Sequence, residues 1–121
     1  MSKVVFVYAD EQEFATFLAL LPDKDSAKLL RMIELVQDKG IEIAVQMKWV
    51  KKLNNNLYEL RSQQANNIQR VIYFHLESTT YVITHGFTKK TQRTPAREIN
   101  RGMHVRRLYV RKDDNHDSKK S

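Results

Sequence analysis

The residues best suited to chemistry lie in one run of the chain, from Leu57 to Pro95. Three strand-like segments in this run each place a cation at or just beyond one end, and Phe87 lies among them. Permanent cations beside an aromatic ring, without a group of metal ligands, suit a site for a phosphodiester. We therefore expect this run to bind RNA. The cations are Arg61, Arg70, Lys89, Lys90 and Arg93.

Arg70 is the strongest candidate for a catalytic residue. A guanidinium offers two parallel hydrogen bonds to phosphate oxygens and stays charged, so it can stabilise the additional negative charge of a transition state. The alternative is an ion pair across the sheet with Glu59. Arg61 shares a strand face with Glu59. It is either a second phosphate ligand that Glu59 orients, or half of a surface salt bridge worth under about 1 kcal/mol.

Lys89, Lys90 and Arg93 lie between the last predicted strand and a helix that is expected to begin at Thr94. A helix N-terminus provides free N–H groups and a positive dipole, and both favour anions. A lysine surrounded by other cations can have a lowered pKa, which would allow one of the two lysines to act as a general acid or base. The alternative is a solvated basic loop.

Phe87 and His85 each have a functional and a structural interpretation. Phe87 could stack on a base of the RNA, a contact worth about 1–3 kcal/mol, or it could belong to the core. His85 could act as a general base near neutral pH, although most strand histidines are packed or hydrogen-bonded. His75 and His85 lie on neighbouring predicted strands, but no third ligand at a suitable spacing joins them. We therefore expect neither a metal nor a cofactor.

The positive charge of the chain is concentrated in its second half. The net charge is +7, yet residues 1–46 contain five Lys or Arg against eight Asp or Glu, whereas residues 47–112 contain fourteen against three. A one-sided basic field attracts a polyanion and gives binding that depends strongly on salt. The RNA-binding candidates in this half are Lys51, Lys52, Phe87, Arg93, Arg97 and Arg101, of which Arg97 and Arg101 share a helical stripe with His104, Arg107 and Arg111.

The composition predicts a single cytoplasmic domain. The chain has 121 residues, of which 41% are hydrophobic, and this fits one globular domain rather than a disordered segment. The absence of cysteine excludes a disulfide framework and a thiolate metal site. No window approaches the roughly 20 apolar residues of a membrane span, and the first apolar stretch is too short for a secretory signal. We expect a domain over residues 1–112 and a disordered polar tail over 113–121.

The spacing of apolar residues predicts an α+β fold in the order β-α-α-β-β-β-α, with an antiparallel sheet packed against two N-terminal helices and a C-terminal helix. A hairpin with Ser78–Thr79 at its tip would place Arg70 opposite Phe87. The predicted segments are a strand over 3–9 buried on both faces, helices over 10–21 and 25–40, a short helix or irregular connection over 41–56, strands over 57–62, 69–77 and 80–87, and a helix over 94–111.

The order of elements and three short motifs resemble the RelE/ParE superfamily of bacterial toxins, and most closely its HigB-like, phage-derived branch. The motifs are Leu-x-Glu-Leu-Arg over 57–61, Arg-x-x-Tyr over 70–73, and Gly-Phe-x-Lys-Lys-x-x-x-Thr-Pro over 86–95. None of the three is specific alone, but together they occur in the expected order. The resemblance covers the chain from the first strand to the final helix.

This resemblance implies the toxin of a type II toxin–antitoxin system, an mRNA interferase that enters the ribosomal A site and inhibits translation. Endoribonucleases of this kind use no metal. The 2′-hydroxyl of the message attacks its own phosphate and leaves a 2′,3′-cyclic phosphate and a 5′-hydroxyl. The resemblance also implies a cognate antitoxin, which in the HigB-like branch is usually a helix-turn-helix protein encoded beside the toxin.

The proton-transfer groups stay unassigned at this point. RelE-like catalysis generally uses a lysine on the first strand of the meander and a tyrosine near the C-terminus. This chain has Tyr58-Glu59 at the first position, and Tyr109 lies only in the last helix. Two alternatives are therefore open: a ParE-like toxin directed against DNA gyrase, and a non-catalytic RNA-binding module of phage origin.

Overall fold

A five-stranded mixed sheet lies between helices that pack on its two faces. The structure is a computed structural model that describes residues 3–90 and 92–120, with side chains as far as Lys112. The predicted α+β class is confirmed. The elements are β1 (Val5–Tyr8), α1 (Glu11–Ala19), α2 (Asp23–Lys39), α3 (Ile41–Gln46), β2 (Val50–Asn54), β3 (Leu57–Gln64), β4 (Asn67–Glu77), β5 (Thr80–Lys89) and α4 (Ala96–Lys120).

The strand order across the sheet is β1-β5-β4-β3-β2. The strands β2 to β5 form an antiparallel meander, whereas β1 runs parallel to β5 at one edge. The expectation that β1 is buried on both faces is wrong, because Val5 is 52% exposed while Phe6 is buried. An edge strand has a neighbour on one side only, and here the side chain of Val5 is left largely uncovered.

The alternation of side chains along the strands divides the core into two clusters. On one face, Leu60 and Val71 pack with the buried residues of α1, α2 and α3. On the other face, Leu57 and Ile72 pack against α4. Gly102 makes the close approach of α4 possible, because a Cβ at that position would lie 2.8 Å from Ile72 Cγ2.

The predicted N-terminal helices are largely confirmed. The side chain of Asp10 caps α1 by accepting a hydrogen bond from the N–H of Glu13 at 2.9 Å. In α2, Leu30 is 43% exposed, whereas Met32 is buried in the core. The ambiguous segment from residue 41 contains the expected short helix, α3, and then β2, which the sequence did not predict.

The hairpin of β4 and β5 confirms the predicted pairing of Arg70 with Phe87. The register nevertheless shifts by one residue between β4 and β5 at Tyr73, which faces Ile83, and shifts back before the tip. The two irregularities cancel, so a count made from the tip at residues 78–79 predicts the right partner at the far end of the hairpin.

The last helix departs from the prediction at both ends. It begins at Ala96 rather than at Thr94, and its backbone continues past Arg111 to Lys120. The stretch from 113 on has no described side chains, so its assignment to a polar tail outside the domain stays a prediction. No helix in the described part of the chain combines the length and the apolar character that a membrane crossing requires.

Candidate anion site

A cavity of about 450 Å³ opens at the end of the sheet where β2, β3, β4 and β5 place their cations. The pairing of the strands explains this convergence. Lys51 of β2 lies opposite Glu59 of β3, and Arg61 of β3 lies opposite Arg70 of β4. The cavity is lined by Val45, Lys48, Trp49, Val50, Lys51, Lys52, Glu59, Arg61, Arg70, Lys89 and Gln92.

Glu59 lies at the centre of this cluster and is fully buried. Its Oε1 is 3.2 Å from Arg70 Nη1, 3.8 Å from Lys51 Nζ and 3.9 Å from Lys89 Nζ. Its Oε2 accepts a hydrogen bond of 2.6 Å from the hydroxyl of Thr94. A buried carboxylate is costly unless it is paired and hydrogen-bonded. The three cations pair with Oε1, but this oxygen has no hydrogen-bond partner among the described residues.

Positive charge exceeds negative charge in the cavity. Six Lys or Arg line it, together with the single carboxylate of Glu59. Two of these cations, Arg70 and Lys89, are themselves buried, each being 5% exposed. One carboxylate cannot compensate this set, so the cavity retains a net positive charge that an anion would offset.

Two buried donor atoms in the cluster have no hydrogen-bond partner among the described residues. They are Nε of Arg70 and Nζ of Lys89. Leaving a buried donor unsatisfied costs about 1–3 kcal/mol, and more when the group is charged. Unsatisfied charged donors beside an open cavity are what a site for an external anion requires.

The pKa values of the two buried cations are lowered. Burial lowers the pKa of the Lys89 ammonium; Glu59 opposes the shift, and Arg70, Lys51 and Arg61 add to it. Burial likewise lowers the pKa of Arg70, against the attraction of Glu59. Arginine stays charged at physiological pH even so, whereas a lysine with a lowered pKa gives up its proton more readily than an ordinary lysine.

The geometry decides between the two interpretations of Glu59. Its carboxylate pairs with Arg70, and this is the ion pair across the sheet that was the alternative interpretation of Arg70. Arg61 is exposed, lines the cavity and forms no ion pair with Glu59 within the described residues. The surface salt bridge between Arg61 and Glu59 is therefore absent, and Glu59 orients Arg70 rather than Arg61.

Lys89, Lys90 and Arg93 do not form one basic loop. Lys89 points its buried side chain into the cluster, whereas Lys90 is exposed and does not line the cavity. Arg93 is also exposed. Thr94 donates its hydroxyl to Glu59, and the next helix begins only at Ala96, so the expected anion site at a helix start at Thr94 is not formed. Thr91 of the predicted junction lies outside the described residues.

The positions of Phe87 and His85 favour the structural interpretation of each residue, as part of the core and as a hydrogen-bonded ring. The ring of Phe87 is 8% exposed, belongs to the apolar cluster under α4 and stacks on His85 at 5.9 Å. The ring of His85 is buried, donates from Nε2 to Glu98 Oε1 at 3.1 Å and contacts Thr84 at 2.8 Å. Neither ring faces the cavity, so a base contact by Phe87 and proton transfer by His85 are not supported by their positions.

Burial also determines the protonation state of His85. Burial and the nearby Arg101 lower its pKa to about 4, although Glu98 opposes the shift. The imidazole is therefore neutral near pH 7 and is held between Thr84 and Glu98. A base with so low a pKa would remove a proton only weakly.

The remaining RNA-binding candidates lie at the surface. Lys51 and Lys52 line the rim of the cavity. Arg97 and Arg101 are exposed on α4, where Arg101 forms an ion pair with Glu13 of α1. The rest of the predicted stripe on α4 is exposed as well, and it consists of His104, Arg107 and Arg111.

Six residues of the site were not predicted from the sequence. Thr94 binds the central carboxylate, and the cavity is also lined by Val45, Lys48, Trp49, Val50 and Gln92. A prediction of β2 would have revealed Trp49. The pairing of β2 with β3 extends one residue further to Trp49, whose C=O accepts a hydrogen bond from the N–H of Arg61 at 2.9 Å. No local signal indicated the contact of Thr94 with Glu59, since 35 residues separate the two.

Within the described residues, no three His, Cys, Asp or Glu side chains come together as a group that could hold a metal ion. The expectation of a site without metal or cofactor stays a prediction.

A family model described as "Phage derived protein Gp49-like (DUF891)" matches residues 16–107. The chain belongs to this family. The Gp49-like family is a RelE-like family of type II toxins, and the matched residues include every residue that lines the cavity. A comparison with the curated proteins found no match.

Proposed function

We propose that this Gp49-like chain is the toxin of a type II toxin–antitoxin system and that it cleaves mRNA on the ribosome. The observation that supports the proposal best is the pair of buried cations, Arg70 and Lys89, whose Nε and Nζ have no hydrogen-bond partner among the described residues beside a cavity with excess positive charge. A phosphodiester would supply the missing acceptor atoms and the missing negative charge.

Arg70 would bind the scissile phosphate and stabilise the charge that develops in the transition state. Glu59 pairs with its guanidinium inside the cavity, and Arg61 would add a second cation at the rim. The 2′-hydroxyl would lose its proton to a base and attack the adjacent phosphorus. The bond to the 5′-oxygen would break, and that oxygen would receive a proton.

Lys89 is the candidate for proton transfer in this reaction. Its pKa is lowered, and its buried Nζ lies on the same face of the sheet as Arg70, near the same carboxylate oxygen. A neutral amine there could accept the proton of the 2′-hydroxyl, and the ammonium could donate to the leaving oxygen. This assignment replaces Lys90, which is exposed outside the cavity.

The partners follow from the same proposal. The cations at the rim and on α4 would contact phosphates of the message and of ribosomal RNA, which positions a protein without reading sequence. A cognate antitoxin of the helix-turn-helix class, encoded beside this chain as in the HigB-like branch, would hold the toxin inactive. The site of action would be the cytoplasm, where ribosomes translate.

The test is to induce expression in a bacterial host and map the 5′ ends of transcripts. Cuts inside translated codons that disappear when translation is blocked are expected for the wild-type chain. Lys89→Met should abolish the cuts and the growth arrest, because it removes the amine while it keeps an unbranched side chain. Lys90→Met should retain both, and Lys28→Met on the exposed part of α2 is the control for the loss of one charge.

Other outcomes would point elsewhere. Growth arrest with intact transcripts and DNA damage would favour a gyrase-directed toxin. Salt-sensitive RNA binding without cleavage or toxicity would favour an RNA-binding module. Loss of cleavage in Lys90→Met but not in Lys89→Met would return the proton-transfer role to Lys90.

A further inference from the structure

One wall of the cavity is largely apolar. Val45, Trp49 and Val50 contribute to it beside Lys48 of the same segment, and the other five cations lie on β2 to β5. Trp49 is partly buried and packs against the apolar cluster that contains Leu60 and Val71. A pocket for a phosphate group alone would need only the cations, so the apolar wall calls for a ligand with an apolar part.

The sheet places Trp49 in line with the phosphate-binding candidates. Its C=O accepts from the N–H of Arg61, and its own N–H donates to the C=O of Ala44, both at 2.9 Å. Arg61 in turn lies opposite Arg70. Trp49, Arg61 and Arg70 therefore lie side by side in one row that runs across the sheet. Neighbouring strands are about 5 Å apart, so the backbones of Trp49 and Arg70 are about 10 Å apart.

We propose that the cavity binds one whole nucleotide, with the base on the wall formed by Trp49 and Val45 and the phosphate on Arg70 and Lys89. The proposal rests on the proposed function, in which RNA is the substrate, and it adds the residue that holds the base. The cavity volume of about 450 Å³ lies in the range of small-molecule sites, about 300–1,000 Å³. Trp49 thus takes the stacking role that was one of the two interpretations of Phe87.

A flat aromatic face suits any of the four bases. Stacking on an aromatic side chain is tolerant of sequence, because every base has a π-face. The contact corresponds to roughly a 5- to 100-fold gain in affinity. We call the wall formed by Trp49 and Val45 the base seat. It raises the affinity for nucleotides over other phosphate compounds, but it does not select a codon by itself.

The chain contains its own reporter for this test, because Trp49 is its single tryptophan. The full-length protein is titrated at low salt with adenosine 5′-monophosphate, ribose 5-phosphate and inorganic phosphate, with fluorescence and calorimetry as readouts. Adenosine 5′-monophosphate should quench Trp49 in a saturable way and bind roughly 5- to 100-fold more tightly than ribose 5-phosphate. Inorganic phosphate should displace both ligands, and displacing adenosine 5′-monophosphate should require the higher phosphate concentration.

Variants separate the base seat from the phosphate site. Trp49→Leu, followed by calorimetry, should bind adenosine 5′-monophosphate no better than ribose 5-phosphate, while its affinity for ribose 5-phosphate stays unchanged. Trp49→Phe should keep part of the preference because it keeps an aromatic face. Met47→Ala is the matched control: Met47 is 56% exposed on the same segment and does not line the cavity, so its replacement should change neither affinity.

Three results would overturn the base seat: equal affinities of the wild-type protein for the nucleotide and for ribose 5-phosphate, an equal loss for both ligands in Trp49→Leu, or no saturable binding of any of the three. The outcome is independent of the cleavage experiment. If transcripts are cut but the nucleotide has no advantage, the base seat alone is wrong. If the nucleotide is preferred through Trp49 but no transcript is cut, the nuclease function alone is wrong.

Discussion

The hydroxyl of Thr94 donates to Oε2 of Glu59 at 2.6 Å, between residues that lie 35 positions apart. This hydrogen bond joins the segment that leads into α4 to the buried carboxylate of β3. The same carboxylate contacts Arg70 and Lys89 through its other oxygen. The position of the chain before α4 and the position of the two buried cations are therefore linked through one side chain.

Replacement of Thr94 by valine should destabilise the protein. Valine keeps the shape of threonine but removes the donor, so a buried carboxylate oxygen loses its hydrogen bond at a cost of about 1–3 kcal/mol. Chemical denaturation followed by circular dichroism measures the change in the free energy of unfolding. Thr79→Val in the exposed turn is the control, and an equal change in both variants would mean that the bond to Glu59 contributes nothing specific.

Replacement of Glu59 by glutamine should lower stability and strengthen the response to anions. The amide can still accept from Thr94, but Arg70, Lys51 and Lys89 lose their counter-charge, and breaking a buried pair costs about 3–5 kcal/mol. A phosphate ion then has no internal competitor. Added phosphate should raise the unfolding temperature of Glu59→Gln more than that of the wild type, and an equal rise would show that the carboxylate does not compete.

Replacement of Arg70 by alanine should lower the cleavage rate by about 10²–10³-fold if the guanidinium stabilises the transition state. Arg70→Lys keeps the positive charge and still provides a partner for Glu59. Lysine cannot, however, make two parallel hydrogen bonds to phosphate. It should therefore fold like the wild type and remain nearly inactive. Full toxicity of Arg70→Lys would show that charge alone suffices at this position.

His85 should make stability depend on pH in a defined window. Its pKa is about 4 in the folded protein and about 6.5 when exposed, so the unfolded state binds more protons between these values. Stability is then complete above about pH 6.5 and falls as the pH drops toward 4, by at most about 1.4 kcal/mol per pH unit. His85→Gln should show a flatter pH profile of the unfolding free energy than the wild type.

The same variant tests the catalytic interpretation of His85. Because the ring is buried away from the cavity, His85→Gln should cleave transcripts at the wild-type rate at pH 7. A loss of cleavage without a loss of folding would restore His85 as a general base.

Replacement of Gly102 by alanine should destabilise the protein although alanine favours helices by about 1 kcal/mol over glycine. The new Cβ would lie 2.8 Å from Ile72 Cγ2 and 3.3 Å from Leu57 Cδ1, so α4 must move away from the sheet. Asn100→Ala, at an exposed position of the same helix, is the control. Thermal unfolding should show a lower midpoint for Gly102→Ala than for Asn100→Ala.

The sequence predicted those parts of the site that depend on strand alternation. Arg61, Arg70 and Glu59 lie on one face because side chains alternate along a strand, and the hairpin count gave Arg70 its partner Phe87. It did not predict β2, because the segment from Val50 has two adjacent lysines and becomes a strand through its pairing with β3. Lys51 therefore could not be placed beside Glu59, and Trp49 could not be placed beside Arg61.

The roles within the cluster were beyond the reach of pattern alone. Alternation shows which face a side chain takes but not which partner it meets across neighbouring strands. Glu59 therefore could not be assigned to Arg70 rather than to Arg61. Threonine is a common residue at helix N-caps, yet the hydroxyl of Thr94 donates to the carboxylate of Glu59 on β3.

The position of β1 has a consequence for the order in which the protein folds. This first strand pairs with β5, with Val5 opposite Thr80, so β2, β3 and β4 are all synthesised before its partner exists. Contacts between distant parts of a chain form slowly, because a long loop must close before they contribute. We expect the hairpins that bring the cations together to form first. The parallel edge of the sheet would then close last.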